Sequence, residues 1–282
     1  MKATVLIDNI TKNDLAAEWG LSIYIEYNGH KILLDAGTTG LFAENAKILD
    51  IDLAEVECGV LSHAHYDHAD GMDVFFEINE KAPFYLRSSS YFDATSTASL
   101  ENCYDYDKNE PESARYIGIK KGTLDTYKDR IRFADGDYEL FPGVYLIPHK
   151  TEGLESIGEK AHMYIRKDEQ WIPDDYSHEQ SLVFETDKGL VIFNSCSHGG
   201  ADNIIREIEM TFPDKQMYAI IGGFHLYKSS EEEVRALAGR IKATGIEKVV
   251  TGHCTGEEAY KILEEELGDS LEQLFSGFVI EI

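Results

Sequence analysis

Basic residues are scarce in this chain. Lysine and arginine number 26 against 52 aspartates and glutamates, which gives a formal charge of -26 at pH 7. Binding of DNA or RNA would need a basic stripe to displace counterions, so nucleic acid is excluded as an expected partner. Cysteine is sparse too. Cys58, Cys103, Cys196 and Cys254 form no CxxC pair and no disulfide-like framework, which predicts a reducing, cytoplasmic setting. No apolar run approaches the length of a membrane span, so no membrane contact is expected. The opening "MKATVLID" is too short, and broken too early by Asp8, for a signal peptide; it reads as a first strand. Linkers rich in Pro, Gly or Ser are missing, as are internal repeats. Residues 1–282 are therefore expected to form one domain, and 43% hydrophobic content supplies an ample core.

What the chain does contain is an alternation of strand and helix patterns, an α/β signature. "LSIYIEY", Asn28-Gly29 and "HKILLDAG" predict a hairpin, and "SLVFET", Asp187-Lys188-Gly189 and "LVIFNS" predict a second. "ADGMDVFFEINE" and "ADNIIREIEMTF" read as helices, and "QMYAIIGG" and "EKVVTGH" as strands. Ser230 to Glu233 forms a capping box before "EEEVRALAGRIKATG", and Thr255 to Glu258 is expected to cap the last helix similarly. Residues 88–130 stand apart: polar, without clean periodicity, and expected to be an insertion over one edge of the core. Its Tyr91, Tyr104, Tyr106, Tyr116 and Tyr127 either line a pocket or pack within the insertion.

Histidine carries the functional signal. "LSHAHYDHADG" sets His63, His65, Asp67 and His68 within six consecutive positions, although the whole chain has only 10 histidines. If this stretch stays extended, His63 and His65 point to one side, because side chains alternate along a strand. They can then grip one ion, while Asp67 and His68, where the chain turns into a helix, reach a second. Imidazoles with one carboxylate suit zinc, and also iron or manganese. His198 in "NSCSHGG", His225 in "GGFHL" and His253 in "TGHCTG" each follow a strand, and His178 precedes one. Ligands of α/β folds gather at the carboxyl ends of strands, so these segments can share one crevice. Cys196 and Cys254 are either thiolate ligands or nucleophiles, or small buried residues beside the site. Gly199-Gly200 and Gly222-Gly223 lack a full phosphate-loop pattern; their expected use is letting backbone pass close to the ligands. His30, His149 and His162 read as surface residues.

The run His63-Ala64-His65-Tyr66-Asp67-His68 resembles the HxHxDH motif of the metallo-β-lactamase superfamily. "LLDAG" upstream and the late "TGH" are similar to further motifs of that superfamily. "NSCSHGGADNI", "GGFHL" and "GHCTG" resemble its branch of dihydropterin-methyl-ribofuranosylaminobenzene 5′-phosphate synthase-like proteins. The resemblance implies an αββα sandwich, two sheets between outer helices, with a dinuclear metal site at one edge. It implies His63 and His65 for the first metal, and Asp67, His68 and His253 for the second. The superfamily's bridging aspartate is replaced here by the neighbourhood of Ser195 and Cys196. His198 is assigned as the remaining ligand with His178 as its competitor. Asp67 and His225 are the candidate catalytic groups, and His178 and His225 the candidate substrate contacts.

Two divalent ions, zinc first and iron or manganese as alternatives, imply attack by a metal-bound hydroxide on phosphorus or a carbonyl carbon. The leading expectation is therefore a metal-dependent hydrolase of a small anionic, phosphate-containing molecule. A synthase-like transferase acting on a phosphoribosyl substrate is the first alternative. A non-hydrolytic iron, redox or metal-binding protein of the same fold is the second. His65 stands where the flavin-linked di-iron relatives usually carry glutamate, which argues against that version.

Overall fold

The computed structural model describes residues 1–12, 14–88 and 100–282. Two seven-stranded sheets lie face to face. The first runs, in spatial order, Val279–Glu281, Lys2–Ile7, Ser22–Tyr27, His30–Leu34, Cys58–Val60, Phe84–Leu86 and Ile131–Phe133. The second runs Leu271–Gln273, Lys248–Thr251, Met217–Gly222, Gly189–Phe193, Gln180–Thr186, Val144–Pro148 and Tyr138–Phe141.

Strand periodicity explains the layering. In the second sheet, Leu182, Phe184, Val191, Phe193, Ala219, Ile221 and Val250 point inward. There they meet Ile23, Ile25, Ile32, Leu34 and Val60 of the first sheet. The alternate residues Val183, Leu190, Ile192, Ile220 and Val249 point outward, under the helices Ala201–Thr211, Glu231–Ala243 and Glu257–Leu267. Leu6, Tyr24 and Leu33 likewise face the helices Leu41–Ile48 and Met72–Ile78. Because both faces of each sheet are covered, central strands read as continuous apolar runs rather than simple alternation. The architecture is an αββα sandwich, as expected.

Both expected hairpins form, with Asn28 and Gly29 at positive φ in the first turn. Ser230 and Glu233 make the expected capping box. The last helix departs from expectation: Gly256 at φ 79° precedes Glu257, and no side chain caps it. The Thr255 hydroxyl is spent elsewhere, accepting from the Phe224 amide at 3.0 Å and pairing with Thr251 at 2.6 Å.

Within the expected insertion 88–130, residues 100–130 are more ordered than their pattern suggested. Cys103–Asp105 and Arg115–Tyr116 pair with Met163–Lys167 and Gln170–Pro173 into a third, four-stranded sheet. Strands of two or three residues are too short to display a period, so no periodic signal marks them. The tyrosines pack locally: Tyr106 stacks on Trp171 at 4.2 Å, Tyr104 meets Tyr116 at 5.4 Å, and Tyr127 lies 4.4 Å from Phe76. Tyr91 falls outside the described residues. This small sheet is latched to the histidine run, since His65 bridges Gly118 and the Tyr66 amide donates to Ile117 at 2.9 Å.

Candidate metal centre

Five strands of the two main sheets end at one place. Val60 leads to His63, Leu34 to Asp35, Phe193 to His198, Gly222 to His225, and Thr251 to His253. Close approach of these ends depends on Gly222 at φ 143°, where a Cβ would stand 1.9 Å from the Asn194 carbonyl oxygen. Any side chain there would push the strand ends apart.

Hydrogen bonds set the face that each imidazole presents. Asp35 is fully buried and accepts from the Ser62 amide and hydroxyl at 2.7 Å each, and from His68 Nδ1 at 2.8 Å. The Ser62 hydroxyl proton is thereby used, so its oxygen accepts from His63 Nδ1 at 2.8 Å. His253 Nδ1 donates to Asn9 Oδ1 at 2.8 Å, while Asn9 Nδ2 donates to the His253 carbonyl. His63, His68 and His253 thus all turn an Nε2 lone pair inward. Such outer partners commonly orient metal-binding histidines.

The inward atoms form two neighbouring groups. Ligand atoms of His63, His65 and His198 lie within 4.8 Å of one another, as do those of Asp67, His68 and His253. His63 Nε2, His65 Nε2 and both ring nitrogens of His198 are buried without any hydrogen-bond partner. Burial, reinforced by the adjacent histidines, holds His63 and His198 far below the usual imidazole range, and burial takes His65 to about 3. All three are therefore neutral, the form that binds metal.

The second group needs positive charge. His68 Nε2 and His253 Nε2 stand 3.1 Å apart, close to the roughly 3.3 Å that two nitrogens adopt on a tetrahedral zinc ion. Burial opposes charging of His253, yet Cys254, Asp67 and Asp8 raise it to about 9. Burial would also raise Asp67, but His68 and His253 hold its carboxyl well below the ordinary range. A proton or a divalent cation can satisfy this cluster. The residues present therefore fit a pair of ions.

Cys196 stands between the groups, with Sγ 3.2 Å from His68 Nε2 and 3.4 Å from Cys254 Sγ. All four cysteines are free and buried. His225 is half-buried, with its ring 4.4 Å from that of His198 and its Nδ1 unpartnered. His178 is placed otherwise than a substrate contact would be. It lies behind the histidine run, where Nδ1 accepts the Ala64 amide at 3.1 Å and Nε2 faces Asp174 at 3.0 Å.

His149 corrects the expectation of a surface residue. It is enclosed, 7% exposed, and both ring nitrogens meet buried carboxylates: Nδ1 faces Glu207 at 3.0 Å and Nε2 faces Glu179. Glu179 also accepts the amides of His198 and Gly199 at 3.0 and 3.1 Å, so it fixes the loop that carries His198. His30 and His162 do lie away from the site; His30 stacks on Phe141 and His162 is exposed. Sequence reasoning missed Asn9, Asp35, Ser62, Glu179 and Glu207. Only Asp35 had a signal, through its place in "LLDAG".

The centre opens into a cavity of about 490 Å³, reached by His65, Asp67, Cys196, His198, His225 and Cys254. Comparison with known proteins agrees with this geometry. Residues 20–155 match the model of the metallo-β-lactamase superfamily. The chain is 30% identical to a synthase of Methanocaldococcus jannaschii, across 98% of this chain and 97% of that protein. The chain belongs to the metallo-β-lactamase superfamily. The archaeal protein is named as 7,8-dihydropterin-6-methyl-4-(β-D-ribofuranosyl)-aminobenzene-5′-phosphate synthase. The solved structure of Tm1679, described as a metal-dependent hydrolase of the β-lactamase superfamily, superposes with a TM-score of 0.82 at 28% identity, covering 100% of this chain and 99% of that one. YhfI of Bacillus subtilis shares the fold at 11% identity and a TM-score of 0.57, covering 100% of this chain and 98% of its own. No helix among the described residues is long and apolar enough to cross a membrane.

Proposed function

We propose that the chain is a metal-dependent hydrolase of small phosphate-bearing molecules. One divalent ion is held by His63, His65 and His198, the other by Asp67, His68 and His253. The observation that carries this reading is the set of partnerless, neutral imidazoles of His63, His65 and His198 beside a cluster that demands positive charge. Zinc suits this donor set best, and iron or manganese also satisfy it. Cys196 takes the place of the superfamily's bridging aspartate. Ions bound here supply Lewis acidity and lower the pKa of water.

The chain's own residues do the rest. Asp67 remains an anion at neutral pH and orients the groups around it. His225, half-buried in the cavity wall, contacts the substrate and passes a proton to the leaving group. Glu179 and Asp35 hold the ligand loops in place. The net charge of -26 repels large polyanions at a distance, which restricts entry to small ones. Free cysteines beside the site suit a reducing cytoplasm.

A synthase-like transferase is the second reading, favoured by the 30% identity with the archaeal synthase over nearly the full length of both chains. One experiment separates the two. Metal-loaded protein is offered phosphoesters, lactones and thioesters, and separately a dihydropterin that carries a leaving group on its 6-methyl carbon together with ribofuranosylaminobenzene phosphate. Hydrolysis products support the first reading, and a joined product without hydrolysis supports the second. Metal-loaded protein that yields neither refutes both.

A further inference from the structure

We propose that the outer half of the cavity is a second subsite, one that holds an aromatic ring bearing a phosphate while the reacting group lies among the metal ligands. This rests on the reading of the inner half as a metal centre. The inner wall is made of imidazoles, thiols and Asp67, but the outer wall has a different chemistry: Trp19, Tyr66 and Tyr227 with Ile117 and Met163. Trp19 and Tyr227 are each 41% exposed, and their rings meet edge to face at 5.5 Å. Two large aromatics left open at a cavity mouth offer a surface that another flat ring can cover. Trp19 also lies 5.4 Å from the ring of His253, so the aromatic surface begins where the ligand cluster ends.

Two cations complete this outer wall. Arg115 Nη2 donates to the Tyr66 hydroxyl at 3.2 Å, which among the described residues leaves the other guanidinium donors open, and Lys228 sits 5.4 Å from the Tyr227 ring. Neither has a carboxylate within 4.0 Å among the described residues; Asp105 faces Arg115 in the strand register but makes no ion pair with it. Asp105 lines the same wall, so Arg115 and Lys228 leave it with an excess of one positive charge, in a chain with 52 acidic and 26 basic residues. A neutral aromatic would gain nothing from it. A planar guanidinium fork beside a lysine suits a phosphate attached to the ring.

Calorimetric titration of metal-loaded protein tests the proposal with two probes that resist hydrolysis, 4-nitrobenzylphosphonate and methylphosphonate. The wild-type chain should bind the aryl probe at least tenfold more tightly than the methyl probe, and Trp19→Ala should erase that difference. Arg115→Ala with Lys228→Ala should weaken the aryl probe at least tenfold with metal content unchanged. Lys228→Ala alone, which leaves the Tyr66 contact intact, should shift it in the same direction. Equal binding of both probes by the wild-type chain, or no change in the double variant, would overturn the subsite. Failure of the metal reading shows separately, as elemental analysis that finds no bound ions before any titration begins.

Discussion

Replacing His149 by alanine should destabilise the fold strongly, and in a pH-dependent way. Glu179 is fully buried and Glu207 nearly so, with side chains 0% and 3% exposed, and His149 is the cation paired with both. What remains to them after its loss is the amides of His198, Gly199, Lys150 and Thr151 and the Thr151 hydroxyl. Removing one partner of a buried ion pair costs about 3–5 kcal/mol, and here one imidazolium serves two carboxylates. Burial works against the charge, but the two glutamates raise the imidazole from 6.5 to about 10. A folded pKa above the unfolded one means that this stabilisation is complete below about pH 6.5 and fades as pH rises toward 10. At about 1.4 kcal/mol per pH unit between those limits, its ceiling is roughly 5 kcal/mol. Urea midpoints of the metal-free protein, compared at pH 6.5 and 9.5, measure the effect without metal linkage. His149→Gln, which keeps bulk but loses the charge, should share most of the deficit at the lower pH. A loss below about 1 kcal/mol at pH 6.5 would refute the reasoning. So would a loss that is equal at both pH values, because lost packing alone has no such dependence.

The other expectations are simpler. Elemental analysis after reconstitution should find two divalent ions per chain, and a value that stays near zero refutes the ligand assignment. Asp67→Ala or His253→Ala should lose the second ion and lower turnover by about 100-fold or more, since removal of even an outer partner can cost that much. His225→Ala should keep both ions and lose turnover; if it loses metal while His198→Ala keeps both, the two assignments exchange. Inorganic phosphate should inhibit competitively and labelled single-stranded RNA should stay intact, so RNA cleavage that vanishes in Asp67→Ala would make the protein a nuclease.

The sandwich was legible because its signals are local. Hairpin turns, the Ser230 capping box and long apolar strands each occupy a few consecutive residues, and the structure reproduces them. The histidine run was legible for the same reason. Its supports, apart from Asp35 in "LLDAG", were not, because they are distant in sequence: Asn9 lies 244 positions from His253. His149 looked like a loop histidine because its two carboxylates come from 30 and 58 residues downstream. Short strands in the third sheet failed differently, since they hold too few residues to show any period.

Charge links these observations. On the proposed assignment, an ion held by His63, His65 and His198 would face three neutral imidazoles, while one held by Asp67, His68 and His253 would be partly neutralised by the Asp67 carboxylate. Cys196, grouped with both His63 and His68 and 3.2 Å from His68 Nε2, would add an anion between the two if its proton leaves. Burial and the neighbouring Cys254 raise the Cys196 thiol, so only a cation at the same spot would favour the thiolate. The two ions would then differ in Lewis acidity, the imidazole-bound one being the stronger. Deep burial of Asp35, Glu179 and Glu207 beneath this centre serves geometry, because each of them holds a backbone or imidazole group that the ligand loops depend on. The acidic surface and the cationic cavity mouth follow the same division: repulsion acts at long range on any large anion, and attraction acts only on one small enough to enter.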